Sequence, residues 1–304
     1  MSIKRFLLTA AAASILVVGF VPTAQAARLD AAVCIERHDL VGPEGRARDD
    51  VSAPKVDRLS RWITAHPTLA AVAAARPGGG AVTVNVWIHV IRKDLTVAGG
   101  NLPQSRIQDQ MDVLNTSFAG TTGGAATGFR FNLAGVTRTT SQKWFNLTSN
   151  AKDREIKQAL KVGGPETLNI YTAKLGQNLL GYAYLAQDAE DVGVLDGVVL
   201  HHQTLPGGSF AIYSEGDTGT HEVGHWFDLF HTFDGGCEGG DLVADTAPEA
   251  SPAFNCPTGR DTCVGGGLDP ITNFMDYTQD SCMFEFTPGQ AARMQQAWTA
   301  FRAP

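Results

Sequence analysis

The sequence predicts an α/β domain with a mixed, mostly parallel sheet beyond about residue 79, on three observations. Segments with two-residue apolar alternation take turns with segments at helical spacing between residues 82 and 201. One further helical segment follows near residue 220. The chain then becomes rich in glycine and cysteine, with little periodicity until a last amphipathic stretch near its end. Its 304 residues, 43% hydrophobic and 18% charged, suffice for one good-sized domain and a smaller segment. A net charge of −7 gives no basic face for nucleic acid or anionic lipid. No internal repeat points to a solenoid.

Residues 1–26 read as a secretory signal peptide. Lys4 and Arg5 precede an apolar run over 6–21, and Ala24-Gln25-Ala26 forms a small-residue exit. The run is too short for a membrane anchor and lacks a stop-transfer flank. No other run approaches a membrane span, so the mature chain is expected to be exported, soluble and monomeric. Residues 27–78 differ in composition: charge-rich over 44–50, alanine-rich over 69–75, and followed by a glycine run at 78–80 that reads as a linker. A pro-segment ahead of a domain spanning 79–304 is the expected organisation. His38 and His66 are expected to be solvated.

Within the domain, Val82, Val84, Val86, Ile88 and Val90 alternate with polar or aromatic residues as a first strand. His89 on it reads as a hydrogen-bonded strand residue. After Pro103, the spacing of Ile107, Met111, Leu114 and Phe118 predicts a helix over 103–118. Phe129, Phe131 and Leu133 mark a second strand, and 151–161 a second helix. Three more strands are expected at 168–173, 180–185 and 197–201. His201 and His202 close the last of these; a polar strand terminus is the preferred reading over a second metal site.

The segment Thr220-His221-Glu222-Val223-Gly224-His225-Trp226 carries the chemistry. Two histidines four apart leave the same helix face, which suits two ligands of one small ion. Glu222 beside them suits a general base acting on a metal-bound water, the H-E-x-x-H arrangement of zinc hydrolases. His231 adds a third imidazole, and three neutral nitrogens leave the fourth tetrahedral position of zinc open to water. A bare H-E-x-x-H arises by chance in roughly 1% of chains this long, and the third histidine lowers that to roughly a few in ten thousand. The arrangement is therefore read as chemical. Zinc also has a high affinity for thiolate, so the lone Cys34 is the candidate to close the open position in a latent form; a free cysteine without that role is an equal alternative.

Cys237, Cys256, Cys263 and Cys282 are expected to pair in an exported protein. Of three pairings, Cys237–Cys263 with Cys256–Cys282 is preferred because it gives two loops of similar length. Each such loop is worth about 3 kcal/mol in the chain-entropy model. The acidic, glycine-rich tract after His231 makes Asp234, Asp241, Asp245 and Thr246 candidate calcium ligands. A solvated loop is the competing reading. Thr287 and Pro288 open a last helix with Ala291, Met294 and Trp298 on its apolar face.

Taken together these residues resemble the metzincin clan, whose pattern is H-E-x-x-H-x-x-G-x-x-H followed by a Met-turn. Within it the chain is similar to the pappalysin (M43) family, in its cytophagalysin and fungal extracellular metalloprotease branch. The resemblance is carried by 221–226, by His231-Thr232-Phe233, by Gly235-Gly236-Cys237, by Asn273-Phe274-Met275-Asp276-Tyr277, by Ser281-Cys282-Met283 and by 205–209. It implies two subdomains about a cleft. The upper one has a five-stranded mixed sheet and two helices, with the zinc helix at the cleft floor. The lower one is irregular, disulfide-tied and ends in a helix. It also implies a secreted zinc metalloendopeptidase with polypeptide substrates, which would pair with an antiparallel edge strand at 180–184. Met275 would support the metal site from below, and Tyr277 would donate to the oxyanion of the tetrahedral intermediate. The stretch 276–286, which carries Asp276, Asp280 and Glu285, is expected to wall the pocket beyond the scissile bond. One departure stands out: Asp228 replaces the family glycine that lets the chain leave the helix with positive φ. Asp reaches that region at a cost of about 1 kcal/mol, and His231 is expected still to reach the metal. The rival readings are a zinc-stabilised binding domain without catalysis and a zinc hydrolase of non-peptide amides.

Overall fold

The computed structural model of the chain describes residues 33–36, 57–75, 81–176 and 179–304. The expected signal segment, the charged run at 44–50, His38, the glycine run and the Cys34 side chain lie outside the described residues.

A mixed sheet organises the domain. Its strands are β1 (Val33–Glu36), β2 (Val82–Arg92), β3 (Phe129–Thr140), β4 (Asn146–Leu147), β5 (Leu168–Leu175), β6 (Leu179–Ala183) and β7 (Val198–His201), in the spatial order β1-β6-β7-β5-β2-β3, with β4 beside the end of β5. β7, β5, β2 and β3 run parallel, and β6 is antiparallel to β7. The central strands are buried on both faces: β7 reads Val-Val-Leu-His, and β5 is buried throughout except at Lys174. β3 extends seven residues beyond the predicted Leu133. Its second half is half-buried and threonine-rich, because an edge strand needs apolar side chains only where a helix covers it.

Helices α1 (Arg58–Ala65), α2 (Pro67–Ala74), α3 (Gln104–Phe118), α4 (Gln142–Phe145), α5 (Asn150–Leu160), α6 (Ala189–Val192), α7 (Asp217–Trp226), α8 (Gly236–Gly239) and α9 (Pro288–Ala297) complete the regular elements. α3 connects β2 to β3 and buries Ile107, Met111, Leu114 and Phe118 against Val84, Val86, Ile88 and the α7 residues Val223 and Trp226. The opposite sheet face is covered by Phe145 of α4 and Ile156 of α5, which pack on Tyr171, Ala173, Tyr182 and Val199. Ser149 caps α5, and Thr287 with Gln290 forms a capping box at α9. Each fully buried aliphatic side chain in such a core contributes about 1.5–3 kcal/mol. The loop-rich tail is tied by Cys237–Cys263 and Cys256–Cys282, which span 26 residues each and interlock.

Two features bear on the segment ahead of residue 79 and on the edge strand. The edge strand expected to be open at 180–184 is covered: β1 pairs with β6 in parallel, setting Cys34 opposite Gly181. Residues 57–75, expected within a separate segment, dock on the domain. Leu59 packs with Ala186 and Ala297, Ala70 and Ala73 are buried, and the Arg58 N–H donates to Gln187 Oε1 at 2.8 Å. The apolar residues Leu59, Trp62 and Ile63 recur at helical spacing, so α1 has a face that water alone would leave unburied.

Candidate metal centre

α7 brings His221 and His225 to one face, and its end brings His231 back to them. The helix start has no side-chain cap of its own. Instead Asp280, from the distant tail, accepts the Glu215 and Gly216 N–H groups at 2.7 and 3.2 Å. Its end is a Schellman motif: the Leu229 N–H donates to Gly224 O at 3.0 Å and the Asp228 N–H to His225 O at 2.8 Å. That motif requires a left-handed residue after the cap, and Asp228 adopts it with φ of 76°. The Asp228 side chain is fully buried against Arg293 of α9, which donates to its carboxylate at 2.8 Å and to its carbonyl at 2.7 Å. Burial pushes the Asp228 carboxyl up to about 6, and Arg293 restrains the rise. Arg293 also pairs with Asp57 at 3.1 Å, so the docked α1–α2 hairpin shares this cation. The departure from the family glycine thus comes with a buried partner that glycine could not use.

The three imidazoles converge. His225 Nε2 lies 3.1 Å from both His221 Nε2 and His231 Nε2. His221 Nδ1 faces Phe274 O, and His225 Nδ1 faces Leu229 O, each at 2.7 Å. A carbonyl only accepts, so each Nδ1 carries the proton and each Nε2 is left with its lone pair. The facing lone pairs of His221 and His225, 3.1 Å apart, repel, so that contact is not a hydrogen bond. A cation between the rings converts the repulsion into ligation. Tetrahedral zinc with bonds of about 2.0–2.1 Å sets ligand nitrogens about 3.3 Å apart, close to the spacing found. Burial holds the His221 imidazole down to about 3, with His231 adding to the effect, so it is neutral as a ligand must be. Among the described residues, this is the one group of three or more His, Cys or acidic side chains close enough to share an ion.

Glu222 is fully buried beside the triad. It lies against β6, where a Cβ on Gly181 would come within 2.8 Å of Glu222 Oε1; the missing side chain makes room for the carboxylate. Met275 is buried under α7, and a Cβ on Gly224 would run into its sulfur. Gly224→Ala would gain helix propensity of about 1 kcal/mol but overpack by about 1–3 kcal/mol. The expected result is a lower melting temperature and weaker metal retention, read by calorimetry and metal analysis. The Tyr277 ring lies 4.9 Å from that of His231 and 5.9 Å from that of His221. His231 also stacks on Phe233 at 4.7 Å. A small recess beside His221 is lined by Leu180, Tyr213, Met283, Tyr277 and Asp276. Of the three acids carried by 276–286, only Asp276 lines it. Asp280 is turned to α7, and Glu285 accepts from the Thr272 hydroxyl.

Among the described residues, the candidate calcium ligands form no group of three acidic side chains close enough to share an ion. Asp245 accepts from Thr287 Oγ1 and Gly289 N–H at 2.7 and 2.8 Å, which ties the tract to the start of α9. Asp234 accepts the His231 N–H at 3.3 Å, and Asp241 accepts the Val243 N–H at 3.0 Å with Thr246 beside it. Local turn N–H groups take up Asp234 and Asp241, and the start of α9 takes up Asp245, carboxylates that composition alone suggested for an ion. His89, by contrast, is buried as a bridge between Thr137 Oγ1 and Asn169 Oδ1 at 2.8 and 3.0 Å. Sequence reasoning missed Arg293 and the roles of Asp280 and Gly181, each of which acts on the site across a long sequence separation that no local pattern displays.

A family model described as pregnancy-associated plasma protein-A, of the M43 peptidases, matches residues 210–299. An extracellular metalloprotease of Verticillium alfalfae is 46% identical over 229 residues, 73% of this chain and 78% of that protein. Mature mirolysin of Tannerella forsythia in complex with a cleaved peptide is 29% identical, with a TM-score of 0.63 over 74% of this chain and 100% of that one. A promirolysin mutant of the same organism gives a TM-score of 0.66 at 28% identity, over 82% of this chain and 91% of its own.

Proposed function

The chain belongs to the M43 family of metallopeptidases, and from that premise we propose that it is an exported zinc-dependent endopeptidase in which His221, His225 and His231 hold the metal. The observation that carries the zinc assignment is the convergence of three Nε2 atoms, with the facing lone pairs of His221 and His225 reconciled by a cation between them. Zinc, when bound, supplies a Lewis acid that acidifies water and polarises the scissile carbonyl. Glu222 takes the proton of the attacking water and passes it to the leaving amine. The Tyr277 phenol donates to the developing oxyanion, and the Met275 side chain supports α7 from below. Export follows from the signal-like start and from the naming of the Verticillium relative as extracellular. Among the described residues no helix is long and apolar enough to cross a membrane.

Residues 27–78 act, in this reading, as a pro-segment. β1 lies along β6, the strand with which an extended substrate would pair, and its register sets Cys34 beside Gly181, which packs against Glu222. That placement supports a latent form in which Cys34 blocks the centre. The similarity to promirolysin, which covers more of this chain than that to the mature form, is consistent with it. Intact mass of the active species would place the new N-terminus after residue 75; an active species retaining residues 33–36 would contradict the assignment.

Digestion of casein with and without a chelator tests the catalytic reading. Chelation is expected to abolish digestion and added zinc to restore it. Digestion that survives complete metal removal would exclude the mechanism. An activated, zinc-loaded chain that cuts no polypeptide would point to the binding-domain alternative.

A further inference from the structure

The chain leaves β2 through α3 towards β3 on one side of the sheet, and leaves β5 towards β6 and β7 on the other. β2 and β5 are neighbours, so the connections diverge between their carboxyl ends. In open parallel sheets such a switch point opens a crevice in which ligands bind. A cavity of about 380 Å³ lies there, lined by Lys93 just beyond β2, Lys174 near the end of β5, His201 at the end of β7, and His202, Gln142 and Asn146. None of its lining residues belongs to the metal centre or to the recess beside it.

The crevice is built for negative charge. No acidic side chain lines it. His202 is 3% exposed and its buried Nδ1 has no hydrogen-bond partner. Burial, with His201, Arg106, Lys174 and Lys93 adding to it, holds His202 down to about 3, which marks the surroundings as electropositive. Two exposed lysines, side-chain amides and the unpartnered imidazole nitrogen of His202 match the needs of an oxyanion. The volume falls within the range of small-molecule sites and exceeds a bare inorganic ion.

We propose that this switch-point crevice binds a small molecule bearing an oxyanion group, carboxylate or phosphate, with Lys93 and Lys174 as the charge partners and His202 as the buried anchor. The site is separate from the peptidase centre and does not depend on its reading. Isothermal titration of the metal-loaded full chain with inorganic phosphate and with succinate, at matched ionic strength, tests it. Saturable binding of at least one probe is expected, with affinity about tenfold lower in the exposed double variant Lys93→Gln/Lys174→Gln. Binding of phosphate alone or of succinate alone would identify which oxyanion the crevice takes. Absence of saturable binding by either probe, or equal affinity in the double variant, would overturn the proposal.

Discussion

Replacing Glu222 by Gln is expected to lower peptide hydrolysis by about 10²–10⁴-fold, the range of general acid–base catalysis by a positioned side chain. The amide keeps the volume that fits against Gly181 and cannot accept the proton. The loss should fall on kcat rather than KM, because the carboxylate acts on water and not on substrate binding. Metal content and melting temperature should stay at wild-type values, since His221 and His225 keep their carbonyl partners at Phe274 and Leu229. A variant that retains its kcat would show that the proton moves through another group.

The second large effect lies away from the chemistry. Arg293→Ala is expected to destabilise the chain by about 3–5 kcal/mol, because it strands the buried Asp228 carboxylate without its cation. The destabilisation should reach the metal. Asp228 forms the left-handed turn that ends α7, and the same turn presents Leu229 O to His225 and leads directly to His231. The double variant Asp228→Gly/Arg293→Met should recover part of the loss: glycine adopts φ of 76° without strain and the Asp228 charge is gone, while Asp57 still lacks its cation. Urea unfolding followed by fluorescence reads both, and similar midpoints for Arg293→Ala and wild type would show that the pair contributes nothing net.

Local pattern carried much of the architecture. Alternation at Val82, Val84, Val86 and Ile88, and the spacing of Ile107, Met111, Leu114 and Phe118, mark faces that must be buried, and burial follows. The histidine spacing marked the metal centre for the same reason: ligand geometry on a helix is a local property. What the pattern could not display depends on long-range partners. The coverage of β6 by β1 joins segments about 145 residues apart, and nothing in residues 33–36 announces it. The docking of α1 on α9 turns on Asp57 meeting Arg293, a charge pair invisible until the fold is closed. In the acidic tract, composition does not display how the carboxylates are used: Asp241 accepts from Val243 N–H within its own turn, and Asp245 reaches the start of α9.

The central claim is that three imidazoles hold one metal ion through their Nε2 atoms. Zinc-edge X-ray absorption on the activated chain measures this directly. The account predicts one zinc per chain with three imidazole nitrogens at about 2.0–2.1 Å and a light-atom fourth ligand. A site with only two imidazoles, unchanged in spectrum and occupancy by His231→Ala, would contradict it.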